Sequence, residues 1–188
     1  MTSGSDDTGD WTLAVAGDGE AFGRIFDRHH DRIIRHSYRL VPNAADVDDV
    51  LAVTFLEAWR GRERVRIVDG SLLPWLLVTA TNTARNLKRG TRRYQALLRR
   101  IPPPDPVWDH AVDFEDGPAT RALRDMASTD QQVIVLCLLE GFTTREAANA
   151  LGLPEGTVKS RLSRARRRLL QQLPPHIRPI SIVSGESL

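Results

Sequence analysis

The chain has 188 residues, enough for one ordinary domain or two small ones, and 41% of them are apolar, including four Trp and five Phe, which excludes a wholly disordered chain. A formal net charge of only +2 means that bulk charge does not mark a nucleic-acid binder; Lys88 and Lys159 are the only lysines among 26 basic residues, a bias read first as codon usage and second as suitability for phosphate and guanine contacts. One cysteine, Cys137, excludes an intrachain disulfide framework and a cysteine-based zinc site, and no apolar run approaches the roughly 20 residues of a membrane span. The start carries Asp6, Asp7 and Asp10 and lacks the basic segment of a signal peptide, so the expectation is a soluble, cytoplasmic protein without membrane insertion.

Residues 1–10 read as a polar, acidic, disordered tail. From Phe22 the pattern turns helical, with Phe22, Ile25, Phe26, Ile33, Ile34 and Leu40 near a 3.6 period. Pro42-Asn43 breaks that helix. A second carries Val47, Val50, Leu51, Phe55, Ala58 and Trp59 on one stripe. Residues 61–70 read as an Arg-rich loop closed by Asp69-Gly70. A third helix begins near Leu72, carries Trp75, Leu76, Ala80, Ala84 and Leu87, and runs into Arg85, Lys88, Arg89, Arg92 and Arg93 without an acid. These bases are either a solvated helix end or a phosphate-binding strip.

Pro102-Pro103-Pro104 and Pro106 cannot continue a helix, so residues 102–118 are a semi-extended linker. The fold class is therefore all-α, with two small helical domains over residues 11–101 and 119–173 and a loose tail over 174–188. The second begins with a short helix, Ala119 to Ala127. Thr129 and Gln132 have capping-box spacing before a helix from Gln131 to Glu140, which Gly141 ends.

Thr143 to Leu170 has the pattern of a helix-turn-helix. Thr143 and Glu146 form a capping box. Ala148 is small where two helices cross, and Gly152 supplies the positive φ of a tight turn. Leu151, Leu153, Val158 and Leu162 fill the wedge, while Val158, Leu162, Ala165 and Leu169 form one stripe of the last helix. Lys159, Ser160, Ser163, Arg164 and Arg167 lie opposite, on a face that fits a B-DNA major groove. The alternative is a helical hairpin with a solvated basic surface. Spacing alone leaves the DNA-binding job open between a repressor or activator and a specificity subunit of RNA polymerase.

Glu155-Gly-Thr-Val-Lys-Ser-Arg-Leu-Ser-Arg-Ala-Arg-Arg-Arg-Leu169 resembles region 4 of extracytoplasmic-function sigma factors nearly letter for letter. The first block resembles region 2 of that family through Gly17-Asp-Gly-Glu-Ala-Phe22, Asp46-Val-Asp-Asp-Val-Leu-Ala-Val-Thr-Phe-Leu-Glu-Ala-Trp59 and Trp75-Leu-Leu-Val-Thr-Ala-Thr-Asn82-Thr-Ala-Arg-Asn86. The resemblance spans about residues 11 to 172. It implies a factor that binds core RNA polymerase and promoter DNA to direct transcription initiation, with an anti-sigma factor as a further expected partner. It places Asp46, Asp48, Asp49, Phe55 and Trp59 at the polymerase. Trp75, Asn82, Arg85, Asn86, Lys88 and Arg89 fall at the −10 element, and Thr157, Lys159, Ser160, Arg161, Ser163, Arg164 and Arg167 at the −35 element. Asn82 would read a flipped base with its paired donor and acceptor; Trp75, two turns earlier on the same face, is either a DNA contact or a core tryptophan. Ala52 and Val53 stand where the family usually carries Gln and Glu, which removes two polar contacts from the polymerase-facing side. A stand-alone regulator and a docking adaptor are the competing readings. No Gly-rich phosphate loop, Ser-His-Asp set or paired carboxylates appear in a recognisable context, so the expectation is neither an enzyme nor a cofactor or metal binder. The adjacent His29 and His30 cannot share a helix face; one is expected partly buried and the other exposed.

Overall fold

A computed structural model describes residues 6–98 and 117–172, which form eight α-helices and contain no strand. The first block holds α1 (Thr8–Val15), α2 (Gly19–Tyr38), α3 (Ala44–Arg60) and α4 (Leu73–Leu98). The second holds α5 (Pro118–Arg124), α6 (Ser128–Ile134), α7 (Thr144–Leu151) and α8 (Glu155–Gln172). Residues 102–116 of the expected linker and the tail from 174 lie outside the described residues.

Local chemistry starts the helices where short polar side chains can cap them. Asp18 accepts from the Glu20 and Ala21 N–H groups at α2, and Asn43 accepts from the Asp46 N–H at α3. Thr143 and Glu146 form the expected capping box at α7. Asp69 and Gly70 both have positive φ, 48° and 77°, between Val68 and Ser71, which exchange two 3.0 Å backbone bonds. That is the geometry an Asp-Gly pair favours, and it fixes where α4 begins.

Packing gathers Trp11, Phe22, Phe26, Phe55 and Trp59 into one aromatic cluster, with ring centroids 4.7 to 6.3 Å apart. Leu72, Leu76, Leu77, Ala80 and Ala84 bury one side of α4. Beneath it His36 is fully buried, with Nε2 3.0 Å from Thr81 Oγ1. The Thr81 hydroxyl donates to the Leu77 carbonyl, so its oxygen accepts from His36 Nε2–H; Nδ1 has no partner. Burial, then the nearby Arg39 and Arg32 charges, push the His36 pKa down to about 3.

Three expectations change. Residues 6–10 are not a tail: Asp7 is fully buried and α1 starts at Thr8, while residues 1–5 lie outside the described residues. The Asp7 carboxylate accepts from Leu72 N–H at 2.7 Å, pairs with Arg28 at 2.6 Å and lies 2.8 Å from His29 Nε2. Burial opposes its charge, but the bonds from His29, Leu72 and Arg28 outweigh that and hold its pKa below the ordinary value. Thr129 and Gln132 do not form a capping box, because α6 begins earlier, with Ala127 at its cap and no side-chain bond. The helix expected from Gln131 to Glu140 is α-helical only to Ile134 and continues as a π-helical turn, Val135–Leu139. His29 is buried and His30 partly exposed.

Two predictions concern these buried ionisable groups. Asp7→Ala leaves His29 and the Leu72 amide without their acceptor and Arg28 with Asp10 alone, and the denaturation free energy at pH 7 should fall by about 3 kcal/mol. In the wild type the Asp7 contribution is present above the ordinary carboxylate pKa and is lost only as pH falls below about 4. His36 acts at higher pH. The unfolded chain takes up its proton below about pH 6.5 and the folded chain does not, so stability should fall by about 2 kcal/mol between pH 6.5 and 5. Denaturant midpoints of His36→Leu should lack that part of the slope, whatever its absolute stability; an unchanged slope would contradict the assignment.

Candidate nucleic-acid interface

The turn between α7 and α8 has the expected form. Gly152 sits at φ 65°, ψ 34°, and the Leu153 N–H returns to the Ala148 carbonyl. Val158 and Ala165 are fully buried, and Leu162 and Leu169 are partly so. Lys159, Ser160, Ser163, Arg164 and Arg167 are exposed on the other side. Lys159 pairs with Glu155 one turn earlier at 2.9 Å, a contact that leaves its stem on the same face. A shallow groove runs along Thr144, Lys159, Ser163, Arg166 and Arg167.

Arg161 departs from this pattern. Its guanidinium bonds Asp130 of α6 at 3.1 Å, and its Nε is buried without a partner. It therefore braces α8 against α6 and does not lie on the exposed strip. Thr157 is half-buried in the first turn of α8.

On α4 the expected residues divide in three. Trp75 is partly buried and packs on the apolar core, so its indole supports the helix. Asn82, Asn86 and Arg89 are exposed. Asn82, Arg85 and Lys88 each bond the second block: Asn82 Oδ1 accepts from Gln132 Nε2 at 2.7 Å, Arg85 donates to the Met126 carbonyl at 2.9 Å, and Lys88 lies 3.0 Å from Asp125. Burial and then Arg89 lower the Arg85 pKa from its ordinary value, yet a guanidinium stays charged.

On α3, Asp48 and Asp49 are exposed. Asp46 is half-buried, and burial and then Asp49 raise its pKa above the ordinary value against the Asn43 hydrogen bond. Phe55 is only 4% exposed and packs at a tilt against Phe26, with ring centroids 4.7 Å apart, so in this structure its ring belongs to the aromatic core and not to the outer side of α3. Trp59 is partly buried beneath the Arg62 guanidinium, 4.7 Å from its ring. Ala52, Val53 and Leu56 are exposed instead, giving α3 an outer side that is acidic at its start and apolar beyond.

Four residues that make the contacts between the blocks escaped the sequence reading: Arg124, Gln131, Gln132 and Glu140. A buried Glu140 at the end of an apolar run carried no sequence signal beyond its position, since its partners, Arg32 and Arg39, lie about a hundred residues away.

Comparison with known proteins assigns a family to each block. Residues 25–94 match the family described as Sigma-70 region 2, and residues 118–169 match Sigma-70, region 4. The chain is 34% identical over 161 residues to the ECF RNA polymerase sigma factor SigM of Mycobacterium tuberculosis, covering 85% of this chain and 80% of that protein. Among solved structures it resembles CnrH, determined in complex with the cytosolic domain of CnrY, at a TM-score of 0.61 and 27% identity over 88% of this chain and 95% of that one. It shares the fold of the sigma factor RpoE of Bartonella quintana, solved with the anti-sigma factor NepR, at a TM-score of 0.57, 22% identity and coverage of 80% and 95%. Two matched regions in their family order and a relative this similar over most of both lengths place the chain in the extracytoplasmic-function (ECF) family of RNA polymerase sigma factors.

Proposed function

We propose that this sigma factor reads its promoter with two surfaces on separate helices while a third surface docks on core RNA polymerase. Lys159, Ser160, Ser163, Arg164 and Arg167 of α8 enter the major groove of the −35 element, with Thr157 at the mouth of the groove. Asn82, Arg85, Asn86, Lys88 and Arg89 of α4 engage the −10 element, backed by Trp75. Asp46, Asp48 and Asp49 begin the polymerase-facing side of α3, and Val53 and Leu56 extend it as an apolar patch. Residues 11–101 and 119–173 are the two domains that carry these surfaces, and tethering two weak sites raises their joint affinity for a promoter.

The observation that carries this reading is the two-sidedness of α8: a buried Val158–Ala165 stripe beneath a strip of exposed bases and hydroxyls. Serine hydroxyls and a guanidinium at base edges give sequence preference, and the flanking arginines give a sequence-blind, salt-sensitive attraction. The factor contributes recognition only; the chemistry belongs to the polymerase, beside which it works in the cytoplasm. A second protein that masks these surfaces, an anti-sigma factor, is the regulatory partner to look for, as CnrH and RpoE were each solved with a bound protein.

Run-off transcription from a cognate promoter should require both purified core polymerase and this chain. Tight binding to a duplex operator by the chain alone, with no transcript when core is added, would refute the reading. Within the holoenzyme, Arg164→Ala should weaken promoter binding about tenfold, the worth of one good base contact. Arg161→Ala should instead lower the melting temperature of the free chain. Full promoter affinity for Arg164→Ala would mean that the recognition strip has been placed wrongly.

A further inference from the structure

Lysine is rare in this chain: Lys88 and Lys159 stand alone among 26 basic residues, and Lys159 lies on the exposed strip of α8. Among the described residues it is the one base of that strip that pairs with an acid. Its ammonium sits 2.9 Å from Glu155 Oε1, with the acid one turn before the base, the favourable order on a helix. Arg164, by contrast, donates to the Ser160 carbonyl at 3.3 Å, a neutral acceptor.

Glu155 is itself held in place. The Thr144 hydroxyl, at the start of α7, donates to the same carboxylate oxygen at 3.0 Å. One oxygen thus ties the first turns of both helices of the motif to the Lys159 ammonium. The bonds from Lys159 and then Thr144 keep the Glu155 carboxyl below its ordinary pKa, so the pair is ionised at neutral pH. Thr144 and Lys159 both line the groove that continues along Ser163 and Arg167, which sets the pair at the edge of the base-reading surface.

A lysine free to swing on such a surface meets phosphates first. Phosphates are alike at every sequence, so that contact adds affinity without preference. An ammonium carries three donors. With one engaged on Glu155, others remain for a base-edge acceptor such as guanine O6 or N7. A compact ammonium can bridge two acceptors in different directions, which the planar fork of arginine does less readily.

We propose that Glu155 is a specificity-determining residue of the −35 reader: it positions Lys159 toward a base-edge acceptor in the groove and withholds it from phosphates. Glu155 acts through Lys159 and is a positioning residue. The inference rests on the reading of α8 as the −35 reader.

The test uses holoenzyme, assembled from core polymerase and the full chain, and two labelled duplexes. One is a promoter that gives a run-off transcript; the other is the same duplex with its −35 element scrambled. Glu155→Gln removes the charge and keeps an oxygen for Thr144, so the tie between α7 and α8 survives. Releasing one cation to phosphates is worth about fivefold in affinity near physiological salt. The scrambled duplex should therefore gain about fivefold more than the cognate one, and its binding should fall more steeply with salt, by about one in the log–log slope. A loss of helix stability alone would weaken both duplexes and would not steepen the slope. An unchanged ratio and slope overturn the inference. In a Lys159→Gln background, Glu155→Gln should leave the ratio where Lys159→Gln alone puts it. A full fivefold shift there would mean that the carboxylate acts without Lys159, which also overturns the inference. Arg164→Ala separates the two failures. If it weakens cognate binding while Glu155→Gln moves nothing, the −35 reading stands and the role of Glu155 falls. If it leaves cognate binding intact, the −35 reading fails and the inference falls with it.

Discussion

Four helices of this length cannot enclose an apolar core on every side, and α4 meets that constraint by serving two neighbours at once. One side of it, from Leu72 to Ala84, is buried against α2 and α3. Its other side packs on α6, α7 and the π-helical turn. Buried apolar residues of both blocks consequently form one continuous cluster, although the sequence separates the blocks with a run of prolines. The helix that carries the proposed −10 contacts is thus also the helix on which the two halves meet.

Arginine has two distinct uses in this chain. Arg28, Arg32, Arg39, Arg85 and Arg161 each bond an acid, amide or carbonyl in the fold, and Arg124 spans three carbonyls with one planar fork. That geometry suits a guanidinium and would not suit the single point charge of lysine. Arg89, Arg164 and Arg167 are exposed. A net charge of +2 therefore understates the local field, because acids neutralise Arg28, Arg32, Arg39 and Arg161 and leave the exposed strip on α8 basic. Codon bias alone does not account for the way these side chains are spent.

The acidic N-terminal segment shows the same economy. Asp7 looked like one of several solvating charges, yet its carboxylate joins α1, α2 and the start of α4 at a single buried point. Asp48 and Asp49 kept the exposure that their polar pattern suggested. Residue type could not separate these cases, because a carboxylate is tolerated inside only where donors from distant segments converge on it.

What the sequence determined by itself was local and periodic. The Thr143–Glu146 cap, the Gly152 turn, the Asp69-Gly70 turn and the buried stripe of α8 each depend on residues within a few positions of one another, and spacing alone identifies such features. The all-α class followed from the same periodicity. What only the tertiary structure decided was which side chains on a helix face another segment and which face solvent. Phe55 went inward to Phe26, Arg161 to Asp130, Asp7 to His29 and Leu72, and Glu140 to Arg32 on α2 and Arg39 at its cap. Those choices depend on packing across as many as 108 positions of chain. A helix pattern records only that a residue lies on a face, never what lies opposite it.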